Sequence, residues 1–220
     1  MFQFKLFKIP VTVHGWFFLL IAFLGGALRA HSPEEWHRVL VFMGAAFISI
    51  LVHELGHALT GLRFGAPSTR ISLHGMGGAA EFPAADFSRN HRILMTAAGP
   101  GSSIALAGVF IVIRIVITDI DPDFHNHSPI FATFISTMIF INLFWGVINL
   151  FPVLPMDGGQ ILRDLLGPNR LKLTCIVSFI TLAILAFILW RLTESIYNMI
   201  IMVFLGSYTW KLYQAAGQRT

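Results

Sequence analysis

Three side chains in the stretch Ile50-Leu51-Val52-His53-Glu54-Leu55-Gly56-His57-Ala58-Leu59 carry the chemistry that can be read first. They form the pattern H-E-x-x-H inside an almost wholly apolar run. On a helix, residues four apart share a face, so the imidazoles of His53 and His57 can both reach one metal ion. Glu54 lies beside them, placed to handle a proton from a water that the metal activates. The surroundings sharpen the reading. A carboxylate at mid-depth in a bilayer costs about 3 kcal/mol or more, and a divalent cation is a partner that would compensate all three polar groups at once. The plainer alternative is a helix end at the membrane interface, with the three groups facing water.

A catalytic zinc takes three protein ligands and leaves a fourth position for water. With two histidines in hand, the missing ligand is a His, Asp or Glu. Asp157 is the strongest candidate, because it follows Phe151-Pro152-Val153-Leu154-Pro155-Met156, where two prolines three apart cannot continue a regular helix. That segment is expected to be extended, with free carbonyls. The alternative for Asp157 is an ordinary turn aspartate in Asp157-Gly158-Gly159.

The elements that must position these groups are membrane elements. The 220-residue chain is 55% hydrophobic and only 12% charged, against about 25% charged in soluble domains, and its mean hydropathy is +0.73. The apolar excess runs along the whole chain, which predicts one all-α, polytopic membrane domain over residues 1–220 and no large soluble domain. The net charge of +4 comes from basic residues scattered at helix ends, which argues against a nucleic-acid partner. A single cysteine, Cys175, excludes an intramolecular disulfide. No cleavable signal peptide is evident.

Six transmembrane helices are expected, at about 14–28, 36–63, 91–118, 129–150, 171–190 and 194–213. Residues 1–12 read as an amphipathic interfacial arm that Pro10 ends. Ser32-Pro33-Glu34-Glu35 reads as the cap and first turn of the second helix. After that helix, Thr69 to His74 alternates as a strand does, Gly75-Met76-Gly77-Gly78 could turn it, and Ala79 to Phe82 could return. A small re-entrant β-hairpin is the result, and non-helical backbone at membrane depth must be buried in protein or line a wet cavity. The third helix carries the small-residue patch Ala97-Ala98-Gly99-Pro100-Gly101-Ser102-Ser103, which permits close helix approach, with a kink at Pro100. Arg114 is expected to snorkel, and a short helix is expected from about Gln160 to Leu166.

Basic residues give an orientation through the positive-inside rule. With both termini in the cytoplasm, the cytoplasmic segments hold Lys5, Lys8, Arg63, Arg70, Arg89, Arg92, Arg163, Arg170, Lys172, Lys211 and Arg219. The outer loops hold Arg29, Arg38 and Arg191, together with Asp119, Asp121 and Asp123. This assignment puts the ends of the second and fourth helices, and so His53, His57 and Asp157, toward the cytoplasmic side.

The stretch Ile50 to His57, taken with Asn149-Leu150-Phe151-Pro152-Val153-Leu154-Pro155-Met156-Asp157-Gly158-Gly159 and with Ala98-Gly99-Pro100 between them, resembles the site-2 protease family of intramembrane zinc metalloproteases. The resemblance implies that His53, His57 and Asp157 bind one zinc ion and that Glu54 is the general base. It implies that Asn149 helps to hold the substrate or the oxyanion. It further implies hydrolysis of a peptide bond within or near the transmembrane segment of a single-span membrane protein. The implied setting is a lipid bilayer, in a prokaryotic cell membrane. No PDZ insertion and no C-terminal nucleotide-sensing (CBS) domain is read, so the chain looks like a minimal form.

A locally unwound substrate could pair with an edge strand of the 69–82 hairpin. Two rival readings are a zinc-binding membrane transporter and a non-catalytic scaffold. A transporter would place ligands along a pathway and often in repeated halves, whereas one compact site and no repeat are read here; intact Glu54 argues against the scaffold. Among the other histidines, His14, His31, His37, His91, His125 and His127 fall at helix ends or in loops. His74, in the glycine-rich hairpin, is a candidate substrate contact.

Overall fold

The structure is a computed structural model that describes residues 1–83, 85–194 and 196–217, with backbone only at 196–198 and 200. Arg219 lies outside the described residues. The chain forms two compact units, one of residues 1–87 and 98–147, the other of residues 88–97 and 148–220.

In the first unit the residues expected to form an interfacial arm are strands instead. β1 (Phe2–Leu6) and β2 (Ile9–Val13) pair antiparallel, with Leu6 opposite Ile9. The turn between them places Phe7 and Lys8 at positive φ, 49° and 69°. The driving pattern is the alternation Ile9, Val11, Val13, whose side chains are all buried, while Pro10 is exposed. Pro10 also lies before Val11–Val13, the stretch that pairs parallel with β3 (Arg70–His74), so its missing N–H interrupts nothing there. The expected hairpin is present: β3 pairs antiparallel with β4 (Gly77–Glu81). The order β1-β2-β3-β4 makes a four-stranded sheet in which β4 is an edge strand.

Helix α1 (Gly15–Leu24) is shorter than the expected first span and ends at Gly25 and Gly26, the latter at φ 89°. Its ten residues rise about 15 Å. Helix α2 (Pro33–Arg63) starts as the sequence predicts. Ser32 and Glu35 form a capping box, in which the Glu35 N–H donates to Ser32 Oγ and the Ser32 N–H donates to Glu35 Oε2. The sheet, α1, α2 and later helical segments share one apolar core that includes Val11, Phe17, Ile50, Leu73 and Met138. Helix α3 (Arg89–Ile120) continues through Pro100 without a break in its helical assignment. Its first nine residues fall in the second unit and the rest in the first. A short α4 (Phe124–His127) leads to α5 (Pro129–Asn149). Within the first unit, the Asn142 amide on α5 donates to Ser49 Oγ at 2.7 Å and to the Met138 carbonyl at 2.8 Å. Such buried hydrogen bonds hold helices together where apolar driving force is weak.

The second unit contains α6 (Asp157–Leu166), α7 (Leu171–Thr193) and α8 (Ile196–Gly217). Helix α6 begins three residues earlier than the sequence predicts, so Asp157 is its first helical residue and not a turn aspartate. Gly158 and Gly159 serve close packing. A Cβ at Gly158 would overlap the Leu150 carbonyl, and one at Gly159 would lie 2.5 Å from the Leu154 nitrogen. Arg92 Nε lies 3.2 Å from Asp164 Oδ1, and Arg89 donates to the Leu165 carbonyl, so the start of α3 is tied to the end of α6. Among the described residues, four helices are long and apolar enough to cross a membrane: α2, α3, α5 and Pro168–Thr193, which includes α7.

Candidate metal centre

His53 and His57 stand on one face of α2, as the i, i+4 spacing requires. Their Nε2 atoms point at each other, 3.2 Å apart. Two donors on a tetrahedral zinc with bonds of about 2.0–2.1 Å lie about 3.3 Å apart, so the pair already has the separation that a shared metal imposes. Both imidazoles are buried, as is Glu54 at 5% exposure. Three titratable groups withdrawn from water need compensation, and a helix end facing solvent is therefore not what α2 presents here.

Glycines make the contacts of α3 and β4 with these groups. A Cβ at Gly99 of α3 would overlap His57 Nε2 and stand 2.9 Å from His53 Nε2, so only glycine lets α3 cross directly over both rings. In the same contact, a Cβ at Gly56 of α2 would meet the Ala98 carbonyl at 2.5 Å and Ser102 Oγ at 2.6 Å. Ser102 donates to the Val52 or Gly99 carbonyl, at 3.1 Å and 2.7 Å. On the sheet side, a Cβ at Gly78 of β4 would lie 2.5 Å from Glu54 Cγ and Oε1. The hairpin thus packs against the carboxylate, forming a wall of the site. Farther along α2, Phe82 fills the notch left by Gly61 and anchors the exit of β4.

One functional partner escaped the sequence reading. Ser103 is fully buried, and its Oγ lies 3.1 Å from His53 Nδ1. Were Nε2 to hold a metal, Nδ1 would carry the proton and donate to this hydroxyl, which would fix the tautomer and the ring orientation. The small-residue run 97–103 signalled close packing but not this contact. His74 accepts the Met76 N–H at Nδ1, 3.3 Å away, so its ring takes part in the hairpin turn.

In the second unit Asp157 is buried and opens α6. Asn149 is the last residue of α5 and is half-buried. The expectation of free carbonyls before Asp157 is overturned: every carbonyl from Phe151 to Pro155 has a donor group within hydrogen-bond distance. Those of Phe151 and Val153 accept from the N–H groups of Val153 and Met156. That of Pro155 accepts from Gln160, and those of Pro152 and Leu154 each lie 3.1 Å from the hydroxyls of Ser178 and Thr209. Buried backbone in an apolar setting has to be satisfied in this way.

The family profile described as peptidase family M50 matches residues 115–189, a stretch that contains Asn149 and Asp157. Over that stretch the chain is similar to this family. A zinc metalloprotease of Methanocaldococcus jannaschii is 29% identical to this chain over 164 residues, 74% of this chain and 44% of that protein. A Synechocystis protein provisionally named a zinc metalloprotease is 30% identical over 169 residues, 73% of this chain and 42% of that protein. The match therefore spans less than half the length of these relatives. The solved structure of a site-2 protease from Methanocaldococcus jannaschii has the same fold, with a TM-score of 0.63 at 22% identity, covering 96% of this chain and 94% of that one.

Proposed function

We propose that this chain is an intramembrane zinc metalloprotease of the M50 type that hydrolyses a peptide bond within or near the membrane span of a single-span protein. The observation that carries the reading is the pair of buried imidazoles with Nε2 atoms 3.2 Å apart beside a buried Glu54. His53 and His57 would hold one zinc ion per chain through Nε2, and Asp157 would complete the protein ligands. Its support is its burial at the start of α6 and the carboxylate chemistry that zinc accepts. Zinc bound there supplies Lewis acidity, which brings water within reach of ionisation near neutral pH.

The protein groups then divide the work. Glu54 takes the proton of the attacking water on its carboxylate and delivers it to the leaving amine, acting first as base and then as acid. Burial keeps competing water from the carboxylate and strengthens each charge interaction around it. Asn149 offers its side-chain amide to the substrate or to the oxygen that gains charge at the scissile carbonyl. The substrate helix has to unwind before it is cut, and glycine, proline or other poor helix formers near the bond favour that. The free edge of β4, held against Glu54 at Gly78, offers a strand to which the unwound segment can pair. Proline in place of β4 residues whose N–H groups point away from β3 should impair cleavage; unchanged cleavage would remove that role.

The proposed setting is a prokaryotic cell membrane, with one metalloprotease domain. Helices α1, α2, α3, α5, α7 and α8 form its six membrane-embedded elements, with both termini and the metal centre toward the cytoplasm. The charge asymmetry of the loops supports this orientation. The test compares wild type with Glu54→Gln in liposomes, with zinc content measured in each and a panel of labelled single-span peptides supplied to both. Cleavage by wild type alone, with zinc retained by both, is the expected result. Zinc in neither protein would overturn the metal centre. Zinc in both with cleavage by both would remove Glu54 from its role.

A further inference from the structure

Leu154 is gripped at both ends of its backbone by side chains from two other helices. Its N–H donates to Ser178 Oγ on α7 at 3.2 Å. Its carbonyl lies 3.1 Å from Thr209 Oγ1 on α8. The Ser178 hydroxyl also stands 3.1 Å from the Pro152 carbonyl, so one serine bridges two backbone groups of the same segment. Ser178 and Thr209 are both fully buried, and Leu154 is 2% exposed.

The grip is transmitted to Asp157 through backbone packing. Leu154 precedes Asp157 by three residues, and its nitrogen is the atom that a Cβ on Gly159 would strike at 2.5 Å. The first turn of α6 and the 150–154 segment therefore rest backbone on backbone, with no flexible side chain between them to absorb a shift. Close-packed interiors pass on small displacements, and a ligand carboxylate has to be held within a few tenths of an ångström. The described contacts give helices α7 and α8 this route to the start of α6.

We propose that Ser178 and Thr209 are positioning residues that set the carboxylate of Asp157 for zinc by clamping Leu154. The inference rests on the reading of Asp157 as a ligand. A competing arrangement uses the same hydroxyls: Ser178 lies 3.0 Å from the Thr174 carbonyl, and Thr209 lies 3.0 Å from the Leu205 carbonyl. Each hydroxyl has one hydrogen, and bonding back to its own helix would leave the segment without it.

The two accounts separate by metal binding in the purified full chain. Thr209→Val keeps the shape and removes the hydroxyl, Thr209→Ser keeps the hydroxyl, and Ser178→Ala removes one oxygen. Zinc affinity is read by chelator competition, and the ligand field by the visible spectrum of the cobalt-substituted protein. Thr209→Val and Ser178→Ala should each weaken zinc by about 10–100-fold, as loss of outer-shell support typically does, and should alter the cobalt bands. Thr209→Ser should retain wild-type affinity and bands. Wild-type behaviour of Thr209→Val and Ser178→Ala, alongside a weakened Asp157→Ala, would overturn the clamp and leave the ligand in place. Wild-type affinity and bands in Asp157→Ala would instead overturn the ligand reading and the clamp with it. Should one of the two hydroxyl-deletion variants fail to fold, the other decides.

Discussion

His53 Nδ1 faces Ser103 Oγ across 3.1 Å, joining α2 to α3 at a fully buried hydroxyl. The contact orients the ring whose other nitrogen meets His57 Nε2. Removing the hydroxyl leaves a buried ring N–H without its acceptor and frees the imidazole to turn. Ser103→Ala should therefore weaken zinc by about 10–100-fold. Chelator competition on the purified protein measures it, and an unchanged affinity would show that packing alone holds the ring.

Gly99→Ala tests the crossing of α3 over the two rings. Helix propensity favours alanine by about 1 kcal/mol, but the new methyl would overlap His57 Nε2. Overpacking of this kind costs about 1–3 kcal/mol and displaces the ligand as well. The expected outcome is loss of most bound zinc, measured by metal analysis, with no gain in thermal stability. A zinc-replete, stabilised variant would contradict the geometry.

Gly78→Ala separates proton transfer from metal binding. Its Cβ would press on Glu54 Cγ, Cδ and Oε1, while the three atoms nearest to it include neither imidazole. A misplacement of about 1 Å costs on the order of 100-fold in rate. Peptide cleavage should fall by about that factor while zinc content stays at the wild-type level. Loss of zinc in parallel would mean that the hairpin supports the whole site.

Zinc should act as a stabilising ligand through linkage. At a free concentration of about 100 times Kd, one site adds about 2.7 kcal/mol to folding. Thermal unfolding in detergent should shift upward with added zinc in the wild type and should not shift in a His53→Ala, His57→Ala double variant. An equal shift in both would indicate binding elsewhere.

The residues nearest to each other in the chain were the ones legible without a structure. His53, Glu54 and His57 fall on one helical turn, and helix geometry alone brings them together. The Ser32–Glu35 capping box and the β3–β4 hairpin are local in the same sense, each closed within a few residues. The strands β1 and β2 carried a readable alternation in Ile9, Val11 and Val13, yet Pro10 and the two lysines suggested an arm. What made them strands is β3, some sixty residues on, whose parallel pairing with Val11–Val13 no local signal announces.

Tertiary structure alone decided which polar groups support the site. Ser103 meets His53 across fifty residues, and Thr209 meets Leu154 across fifty-five. A serine or threonine in an apolar helix has the same local signature whether it bonds back to its own turn or reaches another segment. Only the backbone left unsatisfied by Pro152 and Pro155 distinguishes the two, by demanding donors and acceptors that neighbouring helices happen to bring. Glycine is ambiguous in the same way. Gly78, Gly99, Gly158 and Gly159 read as turn or small-residue signals, whereas in the fold each marks a place where a carboxylate, an imidazole or a backbone atom comes too close for a Cβ. The candidate ligands on α2 are thus a property of helix periodicity, and their support is a property of packing between segments far apart in the chain.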